Sequence, residues 1–276
     1  MDYDRYIQEL LERRQRGGRD PNIGGGPENV VIVPVVDSTN ALARAIATEY
    51  QNEEIPLHPL LVLAFEQSGG RGRQGRSWSS PAGMGTYATR VVATADPALL
   101  QTLPLLVGVG LCRALASHLS TPCRLKWPND LMVEVAGERR KIGGILIEVL
   151  VRPGEGSVGL IGFGVNLFHG SSDLPETATS LRLLEGTLGG NSGSLADLTW
   201  DLVEGVEAEL AHLGDAAYAV ESYRPLSVHQ PGERIVCRFG DTVIEGAFAG
   251  FDEIGRLLLD SAEGRIAVAS GEVIEG

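Results

Sequence analysis

Residues 124–168 read RLKWPNDLMVEVAGERRKIGGILIEVLVRPGEGSVGLIGFGVNLF, and this stretch decides the fold. Its apolar runs are RLKW (124–127), LMVEV (131–135), KIGGILIEVLV (141–151) and SVGLIGFGVNLF (157–168), broken by PND, AGER and RPGEG. Glycine, proline, asparagine and aspartate supply the backbone angles of tight turns. Turns this short join antiparallel neighbours, because a parallel pair needs a crossover of a dozen residues or more. The stretch therefore reads as an antiparallel sheet with no helix inside it.

Outward from it, the pattern becomes mixed. Ile7, Leu10 and Leu11 fall at helical spacing, so residues 2–16 form an amphipathic helix, and residues 17–29 are a Gly/Pro-rich linker. VVIVPVV (30–36) is a strand broken or at an edge at Pro34. DSTN (37–40) supplies an N-cap for the helix ALARAIATEY. LLVLAFE (60–66) and TYATRVVAT (86–94) are strands, and Pro97 opens an apolar helix to about Leu119. Residues 195–223 return to helix, with Leu198, Leu202, Val206 and Leu210 as its apolar stripe. From Leu226 short strands and tight turns suggest a small β-barrel. The predicted fold class is α+β, a mixed and largely antiparallel sheet with helices, followed by that barrel. The implied divisions are 1–29, 30–225 and 226–276.

Composition limits the function. A formal charge of -13 argues against a general nucleic-acid face, so no DNA is expected as a partner. No run approaches the roughly 20 apolar residues of a membrane span, and the charged N-terminus does not resemble a signal peptide. Cys112, Cys123 and Cys237 lack CxxC spacing and read as reduced thiols of a cytoplasmic protein. The 23 basic residues are 21 Arg and two Lys, Lys126 and Lys141, on either side of WPND. A chain that uses Arg almost everywhere keeps a compact ammonium at two sites, although a simple bias toward Arg accounts for the arginines.

The common phosphate and hydrolase motifs are absent. Neither lysine follows a glycine as a P-loop requires, and GFGVNLF carries Leu167 where a dinucleotide fingerprint needs its third glycine. There is no HExxH and no GxSxG. What stands out is GGRGRQGRSW (69–78), three arginines among glycines in an acidic chain. Such a loop suits an anion, through backbone N–H groups and guanidinium forks, but it also suits an ordinary solvated surface. In KWPND, Asp130 can hold a hard cation such as Mg²⁺ beside substrate phosphates, or the segment is a plain hairpin turn with Trp127 in the core. In RKIGGIL, Lys141 enters a strand whose glycines admit a ligand, or it is a surface lysine. Taken together, these cations suit a carboxylate attacking a nucleotide phosphate, where positive charge must offset the repulsion of two anions.

DSTN, GGRGRQGRSW, KWPND, RKIGGIL, GFGVNL and ATSL (178–181), in this order and spacing, resemble the signature blocks of biotin protein ligases. The resemblance covers about residues 30–276. It implies a class II synthetase-like catalytic domain and an SH3-like C-terminal barrel. It also implies a reaction in which biotin and ATP give biotinyl-5′-AMP, whose acyl group passes to a lysine of the biotin carboxyl carrier protein of acetyl-CoA carboxylase. By motif, Ser38, Thr39, Asn40, Gln67 and Gly70 belong to the biotin end. Arg71 and Arg73 belong to a loop closing over biotin and adenylate, and Lys141 touches the biotin carboxylate and α-phosphate. Arg76, Trp78, Lys126, Asn129, Asp130 and Asn166 fall on the nucleotide side, with Arg73 shared and Asp130 the candidate Mg²⁺ ligand. The resemblance also carries an expectation of a homodimer through the catalytic sheet. About 30 residues precede the catalytic blocks, fewer than the winged helix-turn-helix that some members carry, so no repressor function is expected. A lipoate–protein ligase and a non-catalytic biotin sensor are the alternative readings.

Overall fold

The computed structural model describes residues 2–16, 27, 29–152, 156–186 and 193–275. Most of the expected linker over 17–29 lies outside the described residues, as do residues 153–155 of the RPGEG turn. The strands are β1 (Asn29–Val36), β2 (Leu60–Gln67), β3 (Gly85–Thr94), β4 (Arg124–Lys126), β5 (Asp130–Val135), β6 (Glu138–Arg152) and β7 (Gly156–Asn166). They form one sheet in the order β1-β2-β3-β7-β6-β5-β4. The opening stretch does fold as consecutive antiparallel neighbours. One pair is parallel, β1 with β2, joined by the helix α2 (Thr39–Asn52). Pro34 lies in the edge strand β1, where a missing N–H costs no ladder bond toward a further strand.

The sheet is covered on both faces. In β2, Leu61, Leu63 and Phe65 enter one core cluster, while Leu60 and Val62 enter another with Ala43 of α2. Successive side chains of a strand point to opposite faces, so a strand buried on both sides reads as the unbroken run LLVLAF. The helices α1 (Tyr3–Arg16), α3 (Leu103–Leu115), α5 (Leu195–Leu210) and α6 (Ala216–Tyr223) join the first cluster, and the short helix α4 (Leu181–Glu185) lies between β7 and α5. The predicted single helical region over 195–223 is thus two helices. The helix opened by Pro97 starts as a 3₁₀ turn, Pro97–Thr102, before α3. Among the described residues Pro97–Leu115 is the one helical stretch long and apolar enough to cross a membrane, and 67% of its apolar window is buried inside the fold.

The second sheet has β8 (Arg234–Phe239), β9 (Thr242–Phe251), β10 (Leu257–Ser261), β11 (Gly264–Val268) and β12 (Glu272–Glu275), in the order β11-β10-β9-β8-β12. The barrel expectation is overturned here. β11 and β12 are edge strands and do not pair, so the sheet stays open. Its apolar face is covered by the first domain instead of by its own far edge. Ile235, Cys237, Phe248, Phe251, Leu257 and Leu259 belong to the same core cluster as Leu105, Trp127 and Tyr223. Trp127, 3% exposed, donates its indole N–H to the Gly255 carbonyl at 3.1 Å, and its backbone N–H bonds His229 Nε2 at 3.3 Å. Trp127 therefore belongs to the packing of the two sheets.

Candidate active site

A cavity of about 360 Å³ lies where the N-terminus of α2 meets β3, β7 and β6, roofed by the 69–78 loop. Eleven of the residues singled out in the sequence line it: Ser38, Thr39, Asn40, Gln67, Arg71, Arg73, Arg76, Trp78, Asn129, Lys141 and Asn166. Gly70, Lys126 and Asp130 do not line it. Asp130 is adjacent through Lys141. Lys126 lies on the side of the second sheet, where its charge acts on His229 and Cys237.

One end of the cavity is a hydrogen-bonded floor. Gln67 Oε1 accepts from the Thr39 N–H at 2.8 Å and the Thr39 hydroxyl at 3.2 Å, while Gln67 Nε2 donates to Ser80 Oγ at 2.8 Å. Asn40 Nδ2 donates to Glu148 Oε2 at 2.8 Å. The Thr89 hydroxyl lies 2.8 Å from Thr39 Oγ1 and 2.6 Å from Asn40 Oδ1. Buried polar groups held on several sides keep one geometry, which a polar ligand head requires. Thr89 and Glu148 were missed in the sequence, because a threonine or glutamate inside a strand carries no local signal.

Lys141 owes its place to a bulge. Asp130 pairs with Gly144 and Leu131 with Gly143, but Met132 pairs with Lys141, so Ile142 is an extra residue. A bulge shifts the alternation of side chains by one. Ile142 turns into the core at 0% exposure, and Lys141 joins Gly144 and Leu146 at the cavity. The far side of Lys141 is held too: its N–H bonds the Thr177 carbonyl and its carbonyl accepts from the Thr179 N–H, both at 2.9 Å. The ATSL block is this bracing segment.

The other end is cationic. Lys141 Nζ pairs with Asp130 Oδ1 at 2.6 Å and stands 5.3 Å from the Trp78 ring centre. Trp78 packs closely against β7, where a Cβ at Gly164 would come within 2.6 Å of its Nε1. The two glycines of GFG thus make room for Trp78 and for Asn40, and not for a dinucleotide. Within the loop, Gly72 N–H bonds the Arg76 carbonyl at 2.6 Å and Trp78 N–H the Gly70 carbonyl at 2.8 Å. Gly69 N–H bonds the Asp37 carbonyl at 2.9 Å. These bonds engage the N–H groups of Gly69, Gly72 and Trp78 in shaping the loop itself. Arg73 Nη1 donates to Asn129 Oδ1 at 3.1 Å and to the Gly271 carbonyl at 3.0 Å. Burial pulls the Arg73 pKa down and Arg76 adds to that, while Asp130 and Glu272 oppose it.

Residues 32–166 match the Biotin/lipoate A/B protein ligase family, and residues 232–275 match the Biotin protein ligase C terminal domain. A biotin–[acetyl-CoA-carboxylase] ligase of Paracoccus denitrificans is 32% identical over 252 residues, covering 87% of this chain and 98% of that protein. The bifunctional ligase/repressor BirA of Escherichia coli is 28% identical over 260 residues, 91% of this chain and 74% of that one. The structure of an Aquifex aeolicus biotin protein ligase in complex with biotin and ATP superposes with a TM-score of 0.68 at 25% identity. That likeness covers 89% of this chain and 97% of the other.

Proposed function

Because this chain belongs to the biotin protein ligases, we propose that its cavity is where biotin and ATP meet, with Lys141 at the point of reaction. The protein activates biotin with ATP to biotinyl-AMP and transfers the biotinyl group to a lysine of a carrier protein. In the first step a carboxylate oxygen of biotin bonds the α-phosphorus and pyrophosphate leaves. In the second a lysine amine attacks the carbonyl of the mixed anhydride and AMP leaves.

One observation carries the assignment of roles. Lys141 lines the same cavity as Thr39 and Gln67 of the polar floor and Arg71, Arg73 and Arg76 of the loop, with Trp78 beside its Nζ. Ser38, Thr39 and Gln67 hold the ureido end of biotin, with Asn40 beside them and Gly70 in the loop above. Lys141 offsets the repulsion between the biotin carboxylate and the α-phosphate, and Arg71, Arg73 and Arg76 close over the phosphates. Trp78 offers its indole to the base, while Asn129 and Asn166 complete the nucleotide side; Lys126, which does not line the cavity, is left out of it. The closed loop excludes water from the mixed anhydride.

Magnesium fits as a companion of the nucleotide. Among the described residues no group of three His, Cys, Asp or Glu side chains makes a metal cage. Mg²⁺ takes one or two carboxylates and substrate phosphates, and Asp130 supplies one such carboxylate beside the loop. Mg²⁺ would offset phosphate charge there.

The carrier is the biotin carboxyl carrier protein of acetyl-CoA carboxylase, as the name of the Paracoccus relative suggests. The two family matches, over 32–166 and 232–275, fall within the divisions 30–225 and 226–276 and support that reading. The outer edge of β1 has no strand partner among the described residues, which supports a homodimer through the catalytic sheet. The three thiols without a disulfide suit a cytoplasmic setting. Pyrophosphate release on adding biotin and ATP tests catalysis. A rise in melting temperature with biotin but not with lipoate tests the choice of acid.

A further inference from the structure

We infer that Glu272, on the last strand of the second sheet, is an internal counter-ion that competes with the nucleotide's phosphates for Arg76 and so sets the affinity for ATP. The inference rests on reading Arg76 as a phosphate ligand. Arg76 Nη1 lies 2.6 Å from Glu272 Oε1, across 196 residues of sequence. The preceding residue, Gly271, holds Arg73 through its carbonyl at 3.0 Å. Gly271 has φ 147°, a backbone angle that favours glycine, and it opens β12 toward the loop. The two arginines of the clamp are therefore both tied to one corner of the second sheet.

The two ties differ in what an arriving anion does to them. The Gly271 carbonyl is neutral, and Arg73 keeps further N–H groups free for a phosphate oxygen. Glu272 carries a full negative charge, and its field reaches Arg73 as well as Arg76. A phosphate seated between these guanidinium groups stands beside that carboxylate, and like charges at that range repel. Phosphate binding must displace Glu272 from Arg76 or bear its repulsion. The pair is partly exposed, with side chains 57% and 29% accessible, so the charge of Glu272 is weakly held and readily exchanged. Glu272 pairs with Arg76 and not with Thr39 or Gln67 of the polar floor, so the effect falls chiefly on the nucleotide.

The test compares Glu272→Gln, Glu272→Asp, Arg76→Gln and the double variant Glu272→Gln/Arg76→Gln in the full chain. Calorimetry with ATP and with pyrophosphate, and KM for ATP and for biotin, are the readouts. Glu272→Gln should bind ATP and pyrophosphate about fivefold more tightly, the scale of an exposed ion pair. KM for biotin should not move, and Glu272→Asp should stay close to wild type. If Glu272 acts through Arg76, the gain should vanish in the Arg76→Gln background. Unchanged or weaker ATP binding in Glu272→Gln, with Arg76→Gln still losing ATP affinity, overturns the counter-ion alone. ATP affinity that survives Arg76→Gln sinks the phosphate-clamp reading and this inference with it.

Discussion

Lys141 Nζ and Asp130 Oδ1 lie 2.6 Å apart on neighbouring strands, and a one-residue bulge is what turns the lysine toward that partner. An ammonium is a compact point charge, while a guanidinium is a wide planar fork. Gly144 leaves only a narrow space beside Lys141, since a Cβ there would stand 3.2 Å from its Nζ. Lys141→Arg keeps the charge but should lose adenylation by roughly 100-fold, about 2.7 kcal/mol of transition-state stabilisation. Its melting temperature should match wild type. Biotin-dependent pyrophosphate release at the wild-type rate would remove Lys141 from the reaction.

Asp130 is tested separately. Asp130→Asn retains the shape and removes the charge. As the proposed Mg²⁺ partner, it should shift the Mg²⁺ dependence of adenylation to higher concentration. Biotin binding without ATP, followed by calorimetry, should change little. Equal losses of both would leave Asp130 only a structural partner of Lys141.

Much of this was legible in the sequence for a physical reason. The antiparallel order of β4 to β7 follows from three short turns, α1 from helical spacing, and α2 from the cap block DSTN before it. The site blocks were visible because glycine, arginine and lysine stand out in this composition. The bulge at Ile142 was not visible, since one extra strand residue leaves the local apolar pattern intact. The open second sheet was missed because five short strands look alike whether their edges join or another domain covers them. Glu272 and Gly271 carry no local signal, as their meaning comes from a contact with residues nearly 200 positions away.

Gly164 gives a steric test of the nucleotide side. A Cβ at this position would lie 2.6 Å from Trp78 Nε1 and 2.8 Å from its ring carbon Cε2. Those atoms belong to a rigid ring, so Gly164→Ala should push the indole off the strand at a cost of about 1–3 kcal/mol in stability. ATP binding should weaken while biotin binding is largely kept. A variant with wild-type melting temperature and ATP affinity would show that Trp78 is not seated by Gly164.

His229 predicts an acid-sensitive junction between the sheets. Burial holds its pKa at about 4, below the ordinary 6.5, so it is neutral in the fold and takes a proton in the unfolded chain below pH 6.5. A lowered folded pKa means stability present above pH 6.5 and lost as pH falls toward 4. The loss is about 3 kcal/mol from this one group. His169, held low chiefly by burial, acts in the same direction. Urea midpoints measured from pH 7 to pH 4.5 should fall more steeply for wild type than for His229→Gln, with the two curves converging at acid pH. Parallel curves would show that His229 does not titrate between the two states.

Arg73 joins three parts of the molecule. It sits in the loop, donates to Asn129 on the turn before β5, and donates to Gly271 at the start of β12. Arg73→Gly should release the loop from both sheets while leaving the core clusters intact, since Arg73 belongs to neither of them. A loop that no longer closes over the mixed anhydride lets biotinyl-AMP escape before the carrier lysine arrives. Loss of the charge-assisted contacts, each worth roughly 1.5–3 kcal/mol, should speed that escape by at least about tenfold. Freed biotinyl-AMP is an acylating agent and would label lysines on any protein nearby. The measurement mixes enzyme, biotin, ATP and an unrelated lysine-rich protein, and follows both the lifetime of bound adenylate and the biotin on the bystander. Arg73→Gly should shorten the first and raise the second. Adenylate held as long as in wild type, with an unlabelled bystander, would mean that Arg73 does not hold the loop closed over the intermediate.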